Sequence, residues 1–145
     1  MKILIILALA TINLFCQQKE VKLLPPESGI YHTAFSTTYS SSNNVSDSEV
    51  SHFENLAGKK LVWLNFQSDW FNGIKFPAES VKNIWKHGAI PSIRMLPWST
   101  YDKYDKTYSL KKIVEGKFEK ELRTWAKELK KTDIPVLIGF AGEPN

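Results

Sequence analysis

The chain has 145 residues, 43% hydrophobic and 23% charged, a balance that suits one modest globular domain and excludes a disordered segment. Its net charge is +4, but lysine and glutamate are interleaved, as in Lys117-Phe118-Glu119-Lys120-Glu121. That pattern reads as a solvated helix face, not as the concentrated basic stripe of a nucleic-acid binder, so no nucleic-acid partner is expected.

Met1-Lys2 precedes an apolar run from Ile3 to Phe15 that ends at Cys16, the sole cysteine. One basic residue and a short apolar core make a secretory signal over residues 1–16, too short for a comfortable membrane span. Polar Gln17-Gln18-Lys19-Glu20 follows, as after a bacterial lipoprotein signal, in which the cysteine becomes the lipidated first residue. The other reading is an ordinary signal with an incidental Cys16. Either way the product is exported, to periplasm, cell surface or medium, and lipid would anchor it to a membrane. A lone cysteine rules out an intramolecular disulfide.

Residues 17–28, with Pro25-Pro26, read as a tether, and residues 29–145 as the folded part. Ile30 to Phe35 is strand-like, and the Ser/Thr/Asn-rich stretch from Ser36 to Asn44 is a surface loop. Ser46 and Glu49 form a capping box. Behind it Val50, Phe53, Leu56 and Ala57 mark a helical face that Gly58 stops. Lys60 to Phe66 is a second strand, apolar enough to be buried on both faces. Pro77 opens a helix with Val81, Ile84 and Trp85 as its buried stripe, and Gly88 closes it. Ala89 to Leu96 is a third strand. A long segment with Trp98, Tyr101, Tyr104 and Tyr108 leads to a helix whose stripe is Phe118, Leu122, Trp125, Ala126 and Leu129, with Glu119 and Arg123 one turn apart. Ile134 to Phe140 is a fourth buried strand.

This alternation predicts an α/β fold with a parallel sheet. No glycine-rich phosphate fingerprint follows a strand, so a nucleotide-binding doubly wound fold lacks support. The expectation is instead the first four βα units of a (β/α)₈ barrel, cut off after its fourth strand, since such barrels need about 250 residues.

In such barrels chemistry sits at the C-terminal ends of the strands. The expected contributions are His32 and Phe35 from the first strand; Asn65, Gln67, Asp69 and Trp70 from the second; Arg94, Pro97 and Trp98 from the third; and Glu143 and Asn145 from the fourth. Aromatic faces with amides and carboxylates suit a neutral, hydroxyl-rich ligand. No His/Cys/Asp cluster has metal-ligand spacing, and no Gly-x-Ser-x-Gly elbow occurs. Each residue also has a plainer reading: Trp70 and Trp98 as core, Arg94 as a partner of a carboxylate, His32 as a satisfied histidine, Asp69 as a turn cap, Glu143 as a terminal carboxylate.

The run Leu61-Val62-Trp63-Leu64-Asn65-Phe66-Gln67-Ser68-Asp69-Trp70 resembles the second-strand region of glycoside hydrolase family 26, which includes endo-β-mannanases and related β-glucan and xylan hydrolases. Gly88 to Ile93 is similar to its passage into the third strand, and Ile113 to Phe118 with Trp125-Ala126 to the helix that follows. Pro135 to Asn145 resembles its fourth-strand signature, with Gly142 standing where the family often has histidine. The four pieces occur in the right order over residues 29 to 145. The resemblance implies hydrolysis of a β-linked polysaccharide by a retaining two-glutamate mechanism without a cofactor. Glu143 would be the general acid/base and Asn145 a sugar-hydroxyl partner, with Trp70, Trp98, His32, Asn65 and Arg94 as further substrate contacts. The nucleophile would come from a later strand, so a half barrel alone would be inactive. Its open edge would be covered by a complementing half or by self-association. The competing expectations are an exported, non-catalytic carbohydrate-binding lipoprotein, and a half barrel that dimerises without carbohydrate function.

Overall fold

The computed structural model describes residues 24, 26–36, 44–100, 102 and 106–141. The order is β1 (Thr33–Phe35), α1 (Asp47–Ala57), β2 (Trp63–Asp69), α2 (Ala78–Lys86), β3 (Ile90–Leu96), α3 (Leu110–Val114), α4 (Glu119–Thr132) and β4 (Leu137–Phe140). The strands form one sheet in the order β1-β2-β3-β4, every neighbouring pair parallel. The α/β class and the parallel sheet expected from the sequence are therefore present. The strand order never reverses among the described strands, so they contain no switch point of the doubly wound kind.

Local chemistry sets the helix ends. Ser46 caps α1, its Oγ accepting from the Glu49 N–H at 3.2 Å. Gly58 ends the helix at a φ of 60°, a left-handed state that glycine enters without a Cβ penalty. Pro77 stands at the cap of α2, where a missing N–H costs nothing. In α4 the expected pair forms, Arg123 Nε donating to Glu119 Oε1 at 2.7 Å.

The long helices bury their apolar sides in one cluster. Val50 of α1, Val81 and Ile84 of α2 and Trp125 of α4 meet Leu64 and Phe66 of β2 and Ile93 and Met95 of β3. Register places those strand residues on one face, because Leu64 lies beside Pro91, Phe66 beside Ile93 and Ser68 beside Met95. Each such side chain contributes roughly 1.5–3 kcal/mol by leaving water. The other face is different. Burial alternates strictly along β2, and Trp63, Asn65, Gln67 and Asp69 are only half-buried.

Several sequence expectations are corrected. β2 begins at Trp63 and runs to Asp69, three residues later than expected, because ladder bonding starts at Val62, whose N–H donates to His32 O at 2.8 Å. It is buried on one face, not both, and β4, expected to be buried from Ile134 on, spans only Leu137–Phe140 and is half-buried to exposed. Leu56 is exposed, and Glu54 takes its expected place on the inner side of α1. Trp85 is 42% exposed, since the buried arc of α2 centres on Ser80, Val81 and Ile84 and leaves position 85 at its rim. The stretch before α4 also carries a separate short helix, α3, which Gly116 terminates at a φ of 78°.

Candidate functional site

The open face of the sheet is ordered in rows. Trp63 lies beside Thr33 and Ile90, and Tyr31 meets the Trp63 ring edge-on at 5.6 Å. That end is apolar. The next row holds Phe35, Asn65, Ser92 and Leu137, and the row above it Gln67, Arg94 and Gly139. Asp69 and Leu96 end the strands. Polarity thus rises toward the C-terminal edge, where parallel α/β architectures bind ligands.

Asn65 and Arg94 are half-buried on this face. Asn65 Nδ2 donates to Ala34 O at 3.3 Å, which fixes the amide against β1. Arg94 is flanked by Gln67 on β2 and Gly139 on β4. Gly139 projects no side chain, and a Cβ built there meets nothing within 4 Å, so there is room beside the guanidinium. Asp69 serves as a turn cap, its Oδ1 accepting from the Phe71 N–H at 3.2 Å.

The two loop tryptophans separate. Trp98 is 41% exposed just beyond β3, and its carbonyl accepts from the Trp70 N–H at 3.1 Å, tying together the exits of β2 and β3. Trp70 is 1% exposed, its ring edge-on to Tyr108 at 5.1 Å and tilted against Phe140 at 6.1 Å. A ring so enclosed offers no face to a sugar, so the expected substrate contact of Trp70 is replaced by a core role. His32 is also displaced from the expected group. It precedes the three-residue β1 and accepts the Val62 N–H through its carbonyl, at the N-terminal end of the sheet.

Glu143 and Asn145 lie outside the described residues, as do Cys16 and the expected signal segment. In sequence Glu143 and Asn145 come three and five positions after the end of β4. The described chain leaves that strand through Ala141, whose φ of 46° is a left-handed state costing a non-glycine residue roughly 1–2 kcal/mol. The Ala141 N–H donates to Met95 O at 3.0 Å, which holds this turn against β3.

Sequence reasoning missed Ser92 and Gly139, which only strand register brings to the open face. It also missed an ionic cluster on the helix side. Asp47 and Glu54 of α1 meet His87 at the end of α2, with Lys86 and Lys60 beside them. Sequence separations of 33 and 40 residues gave no local signal. The Lys86 and His87 hydrogen bonds hold the Asp47 carboxyl below its ordinary range. For Glu54, burial pushes upward, but bonds from Lys60, His87 and the Leu61 N–H outweigh it, and the carboxyl titrates low. An apolar groove of about 310 Å³ between α3 and α4, lined by Ile113, Leu122 and Ala126, contains none of the expected site residues. Among the described residues no group of three His, Cys, Asp or Glu side chains could hold a metal ion.

No family model, curated protein or solved structure matches the chain.

Proposed function

We propose that residues 29–145 form the N-terminal half of a (β/α)₈ barrel related to glycoside hydrolase family 26, acting on a β-linked polysaccharide of mannan or β-glucan type. The observation that carries this reading is the one-sided sheet. Four parallel strands run in sequential order with helices packed on one face, while the half-open face becomes polar toward its C-terminal edge. Closing such a sheet into a barrel would turn that face inward and gather Asn65, Gln67, Arg94 and Trp98 around a pocket mouth. The order and spacing of the family-like motifs supply the assignment to carbohydrate.

In this reading Glu143, two positions after Ala141 in sequence, donates a proton to the glycosidic oxygen as the bond to the anomeric carbon breaks. A second glutamate, from a later strand of a longer chain or a complementing polypeptide, attacks that carbon, its carboxyl standing about 5–5.5 Å from that of Glu143. Water then hydrolyses the glycosyl-enzyme, giving its proton to Glu143. Asn145 and Asn65 bind hydroxyls, and Trp98 stacks on a sugar face. One carboxylate cannot run both displacements, so this mechanism requires that second glutamate.

The exposure of Trp98 favours one second reading, an exported and lipid-anchored carbohydrate-binding protein without catalysis. The test is reducing-sugar release from β-mannan, mixed-linkage β-glucan and xylan by the product of the whole reading frame, with affinity electrophoresis in the same glycans. Hydrolysis that Glu143→Ala lowers by about a thousandfold or more, with retardation kept, supports the enzyme. Retardation without sugar release selects the binding protein. Absence of both sinks the carbohydrate reading.

A further inference from the structure

The side of α2 that faces α1 is a polar stripe at helical spacing, Ser80, Asn83 and His87, and its two ends differ in kind. At one end the contacts are neutral: the Val45 N–H donates to Ser80 Oγ at 2.8 Å, and Asn83 Nδ2 donates to Val45 O at 2.9 Å. These bonds do not titrate near neutral pH. At the other end the histidine ring is held between two carboxylates of α1. His87 Nε2 lies 3.1 Å from Asp47 Oδ1, and His87 Nδ1 lies 3.2 Å from Glu54 Oε2.

A neutral imidazole carries one N–H, so it can donate to only one of two such acceptors. Its other nitrogen would turn a lone pair toward a carboxylate oxygen at hydrogen-bond distance. The side chains of His87 and Glu54 are 13% and 7% exposed, so water has little room to bridge a gap at Nδ1, whereas Asp47 beside Nε2 is 48% exposed. Among the described residues the remaining charged groups around the ring are Lys86, 2.9 Å from Asp47 Oδ1, and Lys60, 2.5 Å from Glu54 Oε2. Each ammonium shares a carboxylate oxygen with the ring. They offset part of the negative charge, but neither supplies the missing N–H on the imidazole.

We propose that His87 is a proton-operated clasp. With both ring protons in place it fastens α1 to the end of α2, and the loss of one proton loosens α1 while the neutral Val45 bonds keep the helix tethered. The clasp lies where α2 turns into the start of β3, at the opposite end of that strand from Trp98. Seven residues of strand separate the two, on the order of 20 Å. The device therefore stands on its own geometry, whatever the open face binds.

The experiment is nitrogen-15 NMR of the histidine rings in the full chain, stepped upward in pH, alongside amide hydrogen exchange over the same range. Both His87 ring nitrogens are expected in the protonated range at the acidic end. As one of them converts, exchange protection over Val50–Ala57 should fall about tenfold relative to β3, the size of a lost charge-assisted hydrogen bond. His87→Gln, which donates from one end only, should show the loosened α1 at every pH and no step. A ring nitrogen that is unprotonated at every pH where the chain is folded would overturn the proposal. So would α1 protection that stays constant relative to β3 while the ring titrates, or a ring that keeps both protons until the whole sheet unfolds. If His87→Gln does not fold, the native-chain titration decides alone.

Discussion

Trp70 and Trp98 follow adjacent strands and are joined by one backbone hydrogen bond, yet their surroundings assign them opposite work. Truncating Trp70 to alanine removes a ring that is 1% exposed and packed on Tyr108 and Phe140. Emptying such a site costs about 3–5 kcal/mol, because the neighbouring rings close only partly over the void. Against a typical domain stability of about 5–15 kcal/mol this leaves the fold marginal. Trp70→Phe should cost far less. It keeps most of the buried area and deletes Trp70 Nε1, which is buried without an acceptor among the described residues, relieving roughly 1–3 kcal/mol of unmet hydrogen bonding. Trp98→Ala, at an exposed loop position, should change stability by no more than about 0.5 kcal/mol while weakening glycan retardation. Urea unfolding of the three variants, followed by far-ultraviolet circular dichroism, ranks the costs, and affinity electrophoresis reads the binding. A Trp70→Ala variant within about 1 kcal/mol of the parent, or a Trp98→Ala variant as damaged as Trp70→Ala, would refute the division of roles.

Two further outcomes follow from the helix side. Ser46→Ala should cost about 1 kcal/mol, since it removes the Oγ that accepts the Glu49 N–H in the first turn of α1, and urea denaturation at neutral pH checks it. Asp47 and Glu54 both titrate below their ordinary values in the fold, through the Lys86 and His87 bonds for the first and, against its burial, the Lys60 and His87 bonds for the second. The unfolded chain therefore takes up protons first on acidification. The stability that these carboxylates contribute is lost as the pH falls from the unfolded values of 3.8 and 4.5 through the lower folded ones. Glu54→Gln should lower stability at neutral pH and flatten the acid limb of the stability curve.

The parts of the fold that local chemistry dictates were legible in the sequence. The Ser46 cap, the Gly58 stop, the Pro77 start, the Glu119–Arg123 pair and the existence of four strands in parallel alternation all follow from residues within a turn or two of each other. What was not legible depends on partners far away in sequence. The run Lys60 to Phe66 contains enough apolar residues to suggest burial on both faces, and only pairing of the strand with Pro91, Ile93 and Met95 reveals which side the helices cover. Trp70 and Trp98 look alike as loop residues until Tyr108, which lies 38 positions after Trp70, packs on one of them. The inner place of Glu54 on α1 is hidden for the same reason, because its partners Lys60 and His87 come from two later segments.

That same dependence on register gives the open face its meaning. A strand in a parallel sheet covered on both sides reads as a continuous apolar run. β2 instead alternates Leu64, Phe66 and Ser68 with Asn65, Gln67 and Asp69, and β3 alternates Pro91, Ile93 and Met95 with Ser92 and Arg94. Had a second helical layer covered this face, the amides and the guanidinium would have lost water at a cost of several kcal/mol, recovered only where each found a partner. Polar groups therefore belong on a face lined by water or by a hydroxylated ligand, and their rise toward the C-terminal edge places them where parallel sheets bind their substrates. Gly139 fits the same pattern. In the row of Gln67 and Arg94 it is the one position without a side chain, and it opens space toward β4 beside the charge. Filling that space with Gly139→Val would add the β-branched residue that sheet propensity favours. Its effect would thus separate a row kept open for a ligand from one left open by chance.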